Sequence, residues 1–369
     1  MLQPGTQLGG FEIESQIGHG AMSLVYRARR QGSSRHVAIK VLLANLAAQQ
    51  GFVDRFKREA RAVSMLAHRN IVALHEYGEH DGYVYLVMEY IPGNSLGQLL
   101  RARIPVERSV RYMMQLADAL QYAHDLGIIH RDIKPGNLMI EEDTDRLVLM
   151  DFGFSKIAEE SLQLTRPGTN LGTPHFMSPE QILGKPVDGR TDIFAAGIVL
   201  YQLATGKLPF AAENGNAVAV LKRVLQDPMP SPRLEVPSLP VSLERVILTA
   251  TSKAREARYP DARAFKEALA ACAATLPATP SRPLVLVGAV AAAEQMVTSD
   301  HAAEMQPLLA GAVAHATDSS HAPSTQGPRT AATAGAPPAR RESHRPPAIV
   351  PALPRAPMAA RHPDLAMPV

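Results

Sequence analysis

The sequence lacks the usual features of secreted and membrane-spanning proteins. Its 369 residues include one cysteine, Cys272, which excludes an internal disulfide framework and favours a reducing compartment. Cys272 is expected to be a small buried side chain on an alanine-rich helix. The first residues contain neither a basic nor an apolar stretch, so no signal peptide is predicted. The longest apolar run, residues 284–293, is about half as long as a membrane-spanning helix requires, and a cytoplasmic protein is expected.

The chain also has little excess charge of either sign. Its 38 Lys and Arg residues against 35 Asp and Glu give a formal net charge of +3, so nucleic-acid binding by the whole chain is not expected. From about residue 314 the sequence is rich in Ala, Pro, Ser and Thr and carries Arg329, Arg340, Arg341, Arg345, Arg355 and Arg361. This composition predicts a disordered tail over residues 314–369, either a solvated segment or, as a second interpretation, one that docks partners. Residues 277–313 are predicted to form an alanine-rich helical extension.

Hydrophobic periodicity divides residues 8–276 into two parts. Alternating apolar and polar residues predict antiparallel strands at 11–13, 23–27, 36–42, 71–77 and 83–88, interrupted by one helix over 52–67. From Ile91 onwards the pattern predicts helices at 106–126, 192–205, 243–250 and 262–274, of which the second is apolar on all sides. The predicted fold class is therefore α+β, with a small antiparallel β lobe (8–90) containing one helix and a larger, mostly α-helical lobe (91–276).

A short loop contains most of the candidate catalytic chemistry. It reads His130-Arg131-Asp132-Ile133-Lys134-Pro135-Gly136-Asn137, and Asp151-Phe152-Gly153 follows an apolar strand at 147–150. Asp132 can accept a proton from a hydroxyl or orient it for in-line attack, and Lys134 can offset charge on a phosphoryl group. The amide oxygen of Asn137 and the carboxylate of Asp151 are hard ligands that suit Mg²⁺. Any one of these residues fits a turn or a helix cap, but the set in this order predicts phosphoryl transfer from ATP.

Two further segments are suited to binding the phosphates. Gly18 and Gly20 lie between two predicted strands, where the lack of Cβ atoms lets backbone N–H groups approach an anion; a plain hairpin turn is the alternative. Lys40 lies on an apolar strand, and Glu59 lies on the predicted helix that follows. A Lys40–Glu59 ion pair would direct the ammonium towards the α- and β-phosphates, whereas separate solvent-facing positions for the two side chains are the alternative.

These motifs make the chain, from about residue 8 to 276, resemble the eukaryotic-type serine/threonine protein kinase family. The string Met-Ser-Leu-Val-Tyr at 22–26, in lobes without long insertions, is similar to its bacterial members. The resemblance implies a two-lobed protein-kinase-like fold, ATP and Mg²⁺, the catalytic residues Asp132, Lys134, Lys40 and Glu59, and the metal ligands Asn137 and Asp151. The ATP-binding residues that it implies are Ile17, Gly18, Gly20, Val25, Ala38, Lys40, Met88, Glu89, Ile91 and Met139.

The resemblance also implies structural and regulatory positions. Residues 172–180 are similar to the end of an activation segment, in which Thr173 lies near Asp132 and indicates serine/threonine specificity. It further implies a buried Glu180–Arg258 ion pair, and an Asp192 carboxylate that holds the backbone beside His130 and Arg131. Arg131 directly before Asp132 implies control by phosphorylation of the activation loop, with Thr165 and Thr169 preferred to Ser161; ordinary loop hydroxyls are the alternative.

A few positions depart from the family pattern. Ser23 replaces a third glycine, Phe154 replaces a smaller aliphatic residue, His175-Phe176 replaces a pair ending in Tyr, and Ser178 replaces Ala. None of these changes removes a catalytic atom. Ser95 lies where members that prefer basic substrates carry a glutamate, which weakens any case for an arginine-directed substrate preference.

The sequence therefore predicts an ATP- and Mg²⁺-dependent, non-specific serine/threonine protein kinase in bacterial signalling, with protein substrates. Autophosphorylation of its activation loop is expected, and this is compatible with a transient homodimer. A pseudokinase or scaffold is the first alternative. Loss of the catalytic residue at position 40, 132, 137 or 151 would favour it, but all four residues are present. A small-molecule kinase is the second; residues 172–180 and the helix that carries Asp192 argue against it, because they build a platform for protein substrates.

Overall fold

A computed structural model describes residues 1–20, 23–43, 51–152, 174–212 and 216–276. All of them belong to Met1–Ala292, the first of the two units into which the chain divides. The extension and tail predicted at 277–313 and 314–369, and the apolar run at 284–293, lie outside the described residues. Within the described residues, no helix is both long enough and apolar enough to span a bilayer.

The amino-terminal lobe is an antiparallel sheet with one helix described against it. The strands are β1 (Gln7–Leu8), β2 (Phe11–His19), β3 (Ser23–Arg30), β4 (His36–Leu42), β5 (Leu74–His80) and β6 (Tyr83–Glu89), in the order β1-β2-β3-β4-β6-β5. Helix α1 (Phe52–Ser64) buries Phe52, Phe56, Ala60 and Val63, which recur at helical spacing on one face, and it packs against β5. Phe52, Phe56 and Ala60 form a core with apolar residues of the sheet, as the periodicity predicted, whereas Val63 belongs to the apolar cluster of the second lobe.

The second lobe is mostly helical. Its helices are α2 (Leu96–Leu99), α3 (Val106–Asp125), α4 (Pro179–Ile182), α5 (Arg190–Thr205), α6 (Ala217–Gln226), α7 (Pro232–Glu235), α8 (Val241–Ala250) and α9 (Ala262–Ala273). Helix α5 is buried on nearly all sides and packs against α3 and α8, as expected of a helix without a polar face. Cys272 is buried on α9, as predicted from its apolar surroundings.

A second, three-stranded sheet lies between the lobes and presents the candidate site. It consists of β7 (Gly93–Ser95), β8 (Leu138–Glu141) and β9 (Leu147–Leu149), all antiparallel. Gly93 has a φ of 150°, and a Cβ at this position would lie 2.0 Å from the carbonyl oxygen of Ile140. The close approach of β7 to β8 therefore requires glycine.

The helix predicted over residues 52–67 ends at Ser64, and the structure also differs from the predictions at β5 and α6. The strand expected from Ile71 begins at Leu74, because the backbone between them binds the other lobe: Leu149 N–H donates to Asn70 O at 2.9 Å, and Val72 N–H donates to Leu149 O at 3.0 Å. Helix α6 was not predicted. Its start carries a signal, since the Asn216 side chain accepts hydrogen bonds from the N–H groups of Val218 and Ala219 as an N-cap.

Arg146 makes a further link between the two lobes. Its guanidinium donates to Glu89 Oε1 at 2.9 Å, to Glu141 Oε2 at 3.0 Å and to the carbonyl oxygen of Arg69 at 2.9 Å. Glu89 ends β6 of the small lobe, whereas Glu141 ends β8. One largely buried side chain thus links the last strand of the amino-terminal sheet to the interlobe sheet.

Candidate active site

Asp192, near the start of α5, holds the loop that contains Asp132. It is fully buried, and its carboxylate accepts the backbone N–H groups of His130 at 2.9 Å and Arg131 at 2.8 Å. The His124 ring is hydrogen-bonded to the same carboxylate at 2.8 Å. Burial raises the pKa of Asp192, but the contacts with His124 and His130 outweigh it, and the net pKa is lowered. The carboxylate therefore stays ionised and keeps both loop N–H groups bonded.

The His130 side chain connects this loop to the strand that precedes Asp151. Its Nδ1 accepts the N–H of Asp132 at 3.2 Å, and its Nε2 lies 2.7 Å from the carbonyl oxygen of Met150. These two partners fit a neutral ring that carries its proton on Nε2. The ring also packs edge-on against the buried Phe152, with 4.6 Å between ring centres. The His130 ring thereby links the backbone of Asp132 to the backbone of Met150, the residue before Asp151.

Asp132, Lys134 and Asn137 form one hydrogen-bonded group. Lys134 Nζ donates to both carboxylate oxygens of Asp132, at 3.0 Å and 2.8 Å. Asn137 Nδ2 donates to the backbone oxygen of Asp132 at 2.7 Å and to its Oδ2 at 3.0 Å. Because both hydrogen bonds of the Asn137 side chain to described residues use its nitrogen, its Oδ1 is the atom available for a hard cation.

Asp151 lies two residues after β9, beside Lys40. The two side chains form an ion pair, with Lys40 Nζ 2.7 Å from Asp151 Oδ1. Desolvation raises the pKa of Asp151, but the charge and hydrogen bond of Lys40 outweigh it, and the net pKa is lowered. Asp151 has a φ of 60°, a backbone conformation that residues with a side chain seldom adopt. Where such conformations do occur, they are concentrated at functional sites.

The expected Lys40–Glu59 ion pair is not formed. Both residues are described, and no nitrogen–oxygen distance of 4.0 Å or less joins them, whereas Lys40 contacts Asp151. Glu59 is half-buried on α1, at the edge of the face that buries Phe56 and Ala60. The sequence places a carboxylate on this helix, but it does not determine how α1 is rotated or which anion the lysine contacts.

The predicted adenine-binding residues lie together where the amino-terminal sheet meets the interlobe sheet. Ala38, Met88 and Ile91 belong to one apolar cluster, against which Val25 and Met139 pack. Ala38 and Met88 are direct partners across β4 and β6. The N–H of Glu89 is bonded to Ala73 O at 2.9 Å, so Glu89 could contact a purine through its backbone carbonyl but not through its N–H.

The Gly-rich turn leads out of this cluster. Gly18 pairs with Val25 across β2 and β3, and Gly20 N–H donates to the carbonyl oxygen of Ser23 at 2.8 Å. Ile17 is 46% exposed, as expected of a side chain that lies above an open cleft. Ser23, at the position of the third family glycine, is buried as the first residue of β3.

The Glu180–Arg258 ion pair is formed as the resemblance implied. The guanidinium and carboxylate make two parallel bonds of 2.7 Å and 2.8 Å, and Thr191 adds a hydroxyl donor to Glu180 at 2.7 Å. Arg258 is fully buried and also lies over the Phe194 ring. Burial raises the pKa of Glu180, but the Arg258 and Thr191 hydrogen bonds outweigh it and lower the pKa to about 2.

This lowered pKa predicts acid lability. Glu180 ionises more readily in the folded chain than at the ordinary pKa of 4.5, so its stabilisation is present above pH 4.5 and is lost as the pH falls towards 2. The contribution is on the order of 3 kcal/mol. We expect the difference in unfolding free energy between the parent and Glu180→Gln, measured in urea, to shrink from pH 6 to pH 3. A difference that stays constant would contradict the assignment.

Several predicted positions lie outside the described residues. These are the phosphorylation candidates Ser161, Thr165 and Thr169, together with Gly153, Phe154 and Thr173. No group of three His, Cys, Asp or Glu side chains suited to a metal occurs in the described part of the chain. Asn137 and Asp151 would thus need phosphate oxygens and water to complete a cation's coordination, which is an arrangement that Mg²⁺ commonly takes.

Two contacts that support the loop, one of them direct and one through Asp192, were not predicted from the sequence. His124 bonds Asp192, and Gln181 Nε2 donates to the carbonyl oxygen of Arg131 at 2.8 Å. His124 lies near the end of α3, where a histidine is ordinary because it interacts favourably with helix carbonyls. Gln181 follows Ser178 at capping-box spacing, which predicts a local helix cap and gives no indication of a contact 50 residues away.

Comparison with known proteins identifies relatives of this arrangement. A family model described as protein kinase domain matches residues 11–254. A probable serine/threonine-protein kinase of Clostridium acetobutylicum is 39% identical over 261 residues, covering 70% of this chain and 39% of that protein. Serine/threonine-protein kinase pkn3 of Myxococcus xanthus is 40% identical over 272 residues, covering 71% of this chain and 49% of that protein. The chain thus spans less than half the length of these two relatives.

A solved structure agrees with the described fold. The PknI kinase domain of Mycobacterium tuberculosis aligns with a TM-score of 0.60 and 28% sequence identity. The alignment covers 75% of this chain and all of that domain. The sheet-rich first lobe and helical second lobe predicted from the sequence are therefore confirmed.

Proposed function

Because the chain belongs to the protein kinase domain family, we propose that it transfers the γ-phosphoryl group of ATP to serine and threonine hydroxyls of proteins. The observation that carries the proposal is the convergence of Asp132, Asn137 and Asp151. Asn137 contacts Asp132 through its side chain, and its backbone oxygen accepts the N–H of Met150 at 2.9 Å, directly before Asp151. A base, an amide oxygen and a second carboxylate thus lie around one cleft, as in-line transfer requires.

In the proposed reaction, Asp132 orients the substrate hydroxyl and accepts its proton. The hydroxyl oxygen bonds to the γ-phosphorus while the bond from that phosphorus to the oxygen shared with the β-phosphate breaks, and ADP leaves with that oxygen. Lys134, which already contacts Asp132, offsets charge on the transferred group. Mg²⁺ held by Asn137 and Asp151 would neutralise charge on the phosphate oxygens. Lys40, beside Asp151, would pair with the α- and β-phosphates.

Control through the activation loop is part of the proposal. Arg131 precedes Asp132 and can pair with a phosphate on Ser161, Thr165 or Thr169, the last two being nearer the substrate-binding end. Arg131 is already fixed through its backbone to Asp192. A phosphate that contacts its guanidinium would therefore act on a loop whose backbone is held in place.

We expect the purified protein, incubated with Mg²⁺ and ATP, to phosphorylate itself within residues 161–169. Phosphopeptide mapping by mass spectrometry locates the sites, and EDTA in place of Mg²⁺ should abolish the signal. A Lys40→Met variant is the negative control, because it lacks the cation that is proposed to bind the phosphates of ATP. Phosphate found only in residues 314–369 would contradict control through this loop, and a complete lack of transfer would contradict the proposed activity.

A further inference from the structure

The backbone of Arg131 has an unusual conformation. Its φ is 68°, in the left-handed region that residues with a Cβ seldom occupy. This strained peptide directly precedes Asp132, so the rotation of the Arg131–Asp132 peptide determines where the Asp132 carboxylate points. A conformation of this kind persists only where surrounding contacts hold it.

The backbone N–H and the backbone carbonyl of Arg131 are each hydrogen-bonded to a side chain, and the two side chains lie on different helices. The Arg131 N–H donates to Asp192 Oδ1 on α5 at 2.8 Å. The Arg131 carbonyl oxygen accepts from Gln181 Nε2 on α4, also at 2.8 Å. The two bonds have similar lengths, but the Gln181 contact acts on the peptide bond shared with Asp132.

Gln181 is itself fixed in position. Its Oε1 accepts the N–H of Ser178 at 3.0 Å, and its own N–H donates to Ser178 Oγ at 3.4 Å, forming a capping box. This arrangement also determines the orientation of the amide, since only its nitrogen can donate to the Arg131 carbonyl. The preceding residue, Glu180, is bound to the buried Arg258. The Gln181 side-chain amide, which donates to Arg131, is therefore fixed by the contacts of its own helix.

We propose that Gln181 is a positioning residue for phosphoryl transfer: it holds the strained Arg131–Asp132 peptide so that Asp132 faces the substrate hydroxyl. The inference rests on the proposed function. It assigns to the helix that follows residues 172–180 a direct contact with the loop containing the candidate base. A change in the position of α4 would thereby be transmitted to Asp132 through one hydrogen bond.

Helix capping alone is the competing explanation, and the chain contains a matched control for it. At α2, Ser95 N–H donates to Gln98 Oε1 at 2.8 Å, and Gln98 N–H donates to Ser95 Oγ at 3.2 Å. This second capping box also begins a four-residue helix. The Gln98 side chain is exposed, and its Nε2 makes no hydrogen bond to the described residues. The two glutamines share the cap but not the contact with the loop.

The test compares Gln181→Glu, Gln181→Met and Gln98→Glu in the full chain. Glutamate keeps the capping box but replaces the donor with an acceptor opposite the Arg131 carbonyl, whereas methionine removes both functions without adding charge. We expect both Gln181 variants to lower kcat for a generic protein substrate by about 10- to 100-fold, because misplacing a reacting group has effects of this size. KM for ATP should stay within about twofold, since the predicted nucleotide contacts do not include Arg131. The Gln98→Glu variant should match the parent.

Amide hydrogen exchange supplies a readout that does not depend on activity. In both Gln181 variants the amides of residues 130–132 should exchange faster than in the parent, and in Gln98→Glu they should not. The inference is overturned if Gln181→Glu leaves kcat unchanged, if kcat falls without faster exchange in this loop, or if Gln98→Glu gives the same changes. If the parent transfers no phosphate, the proposed function fails, and the exchange comparison alone decides whether Gln181 holds the loop.

Discussion

An Asp132→Asn variant is expected to lose about a thousandfold in turnover, the middle of the range for removal of a general base. The amide keeps the shape of the carboxylate but cannot accept the hydroxyl proton, and its NH₂ group would face Lys134 or Asn137, both of which now donate to Asp132. Asp132 is about one-third exposed, so folding should be retained. Single-turnover transfer of radiolabelled phosphate from ATP to a generic protein substrate measures the loss, and thermal unfolding checks the fold.

Asp118→Asn is the matched control for this experiment. Asp118 also forms a pair with a lysine, with 2.7 Å between its carboxylate and Lys266 Nζ, but it lies on the surface between α3 and α9. Its replacement should change turnover by less than about twofold, since exposed ion pairs contribute little. If Asp132→Asn transferred phosphate as fast as Asp118→Asn, Asp132 would have no part in proton transfer.

The second large effect concerns stability. Arg258→Met is expected to reduce the free energy of unfolding by about 3–5 kcal/mol, because it leaves the buried Glu180 carboxylate without its cation. The guanidinium also donates to the carbonyl oxygens of Ser252 at 2.8 Å and Arg190 at 3.0 Å, and methionine can satisfy none of these acceptors. Urea unfolding near pH 7, followed by circular dichroism, measures the loss.

Lys207→Met provides the comparison, because it removes a cation from the exposed pair with Glu235. This change should cost no more than about 1 kcal/mol, the usual value for a surface ion pair. Equal losses in the two variants would mean that burial of the Glu180–Arg258 pair has no special consequence. A loss in Arg258→Met that is smaller at pH 3 than at pH 7 would match the lowered pKa of Glu180.

The fold and the convergence of the site could be predicted because they follow from local patterns. The apolar stretch of α5 indicated a buried helix, and the loop from His130 to Asn137 indicated its chemistry by residue type and order alone. The buried Glu180–Arg258 pair, 78 residues apart, followed from the family resemblance and not from any local pattern.

Contacts that depend on side-chain rotation or helix placement could not be predicted. Lys40 contacts Asp151 and not Glu59, and the choice between these two carboxylates depends on how α1 lies against the sheet. Gln181 could be identified as a helix cap, but its second hydrogen bond, to Arg131, depends on how α4 packs against the loop. The start of β5 was misplaced because the backbone near Ile71 pairs with Leu149, a partner that sequence alternation cannot reveal.

The position of Arg146 has a consequence for how the two lobes can move. Its bonds to Glu89, Glu141 and the backbone of Arg69 link the end of β6 in the first lobe to the end of β8 in the interlobe sheet. Because these bonds restrain the end of β6, we expect any relative movement of the two lobes to be smaller at Glu89 than at Gly18 and Gly20.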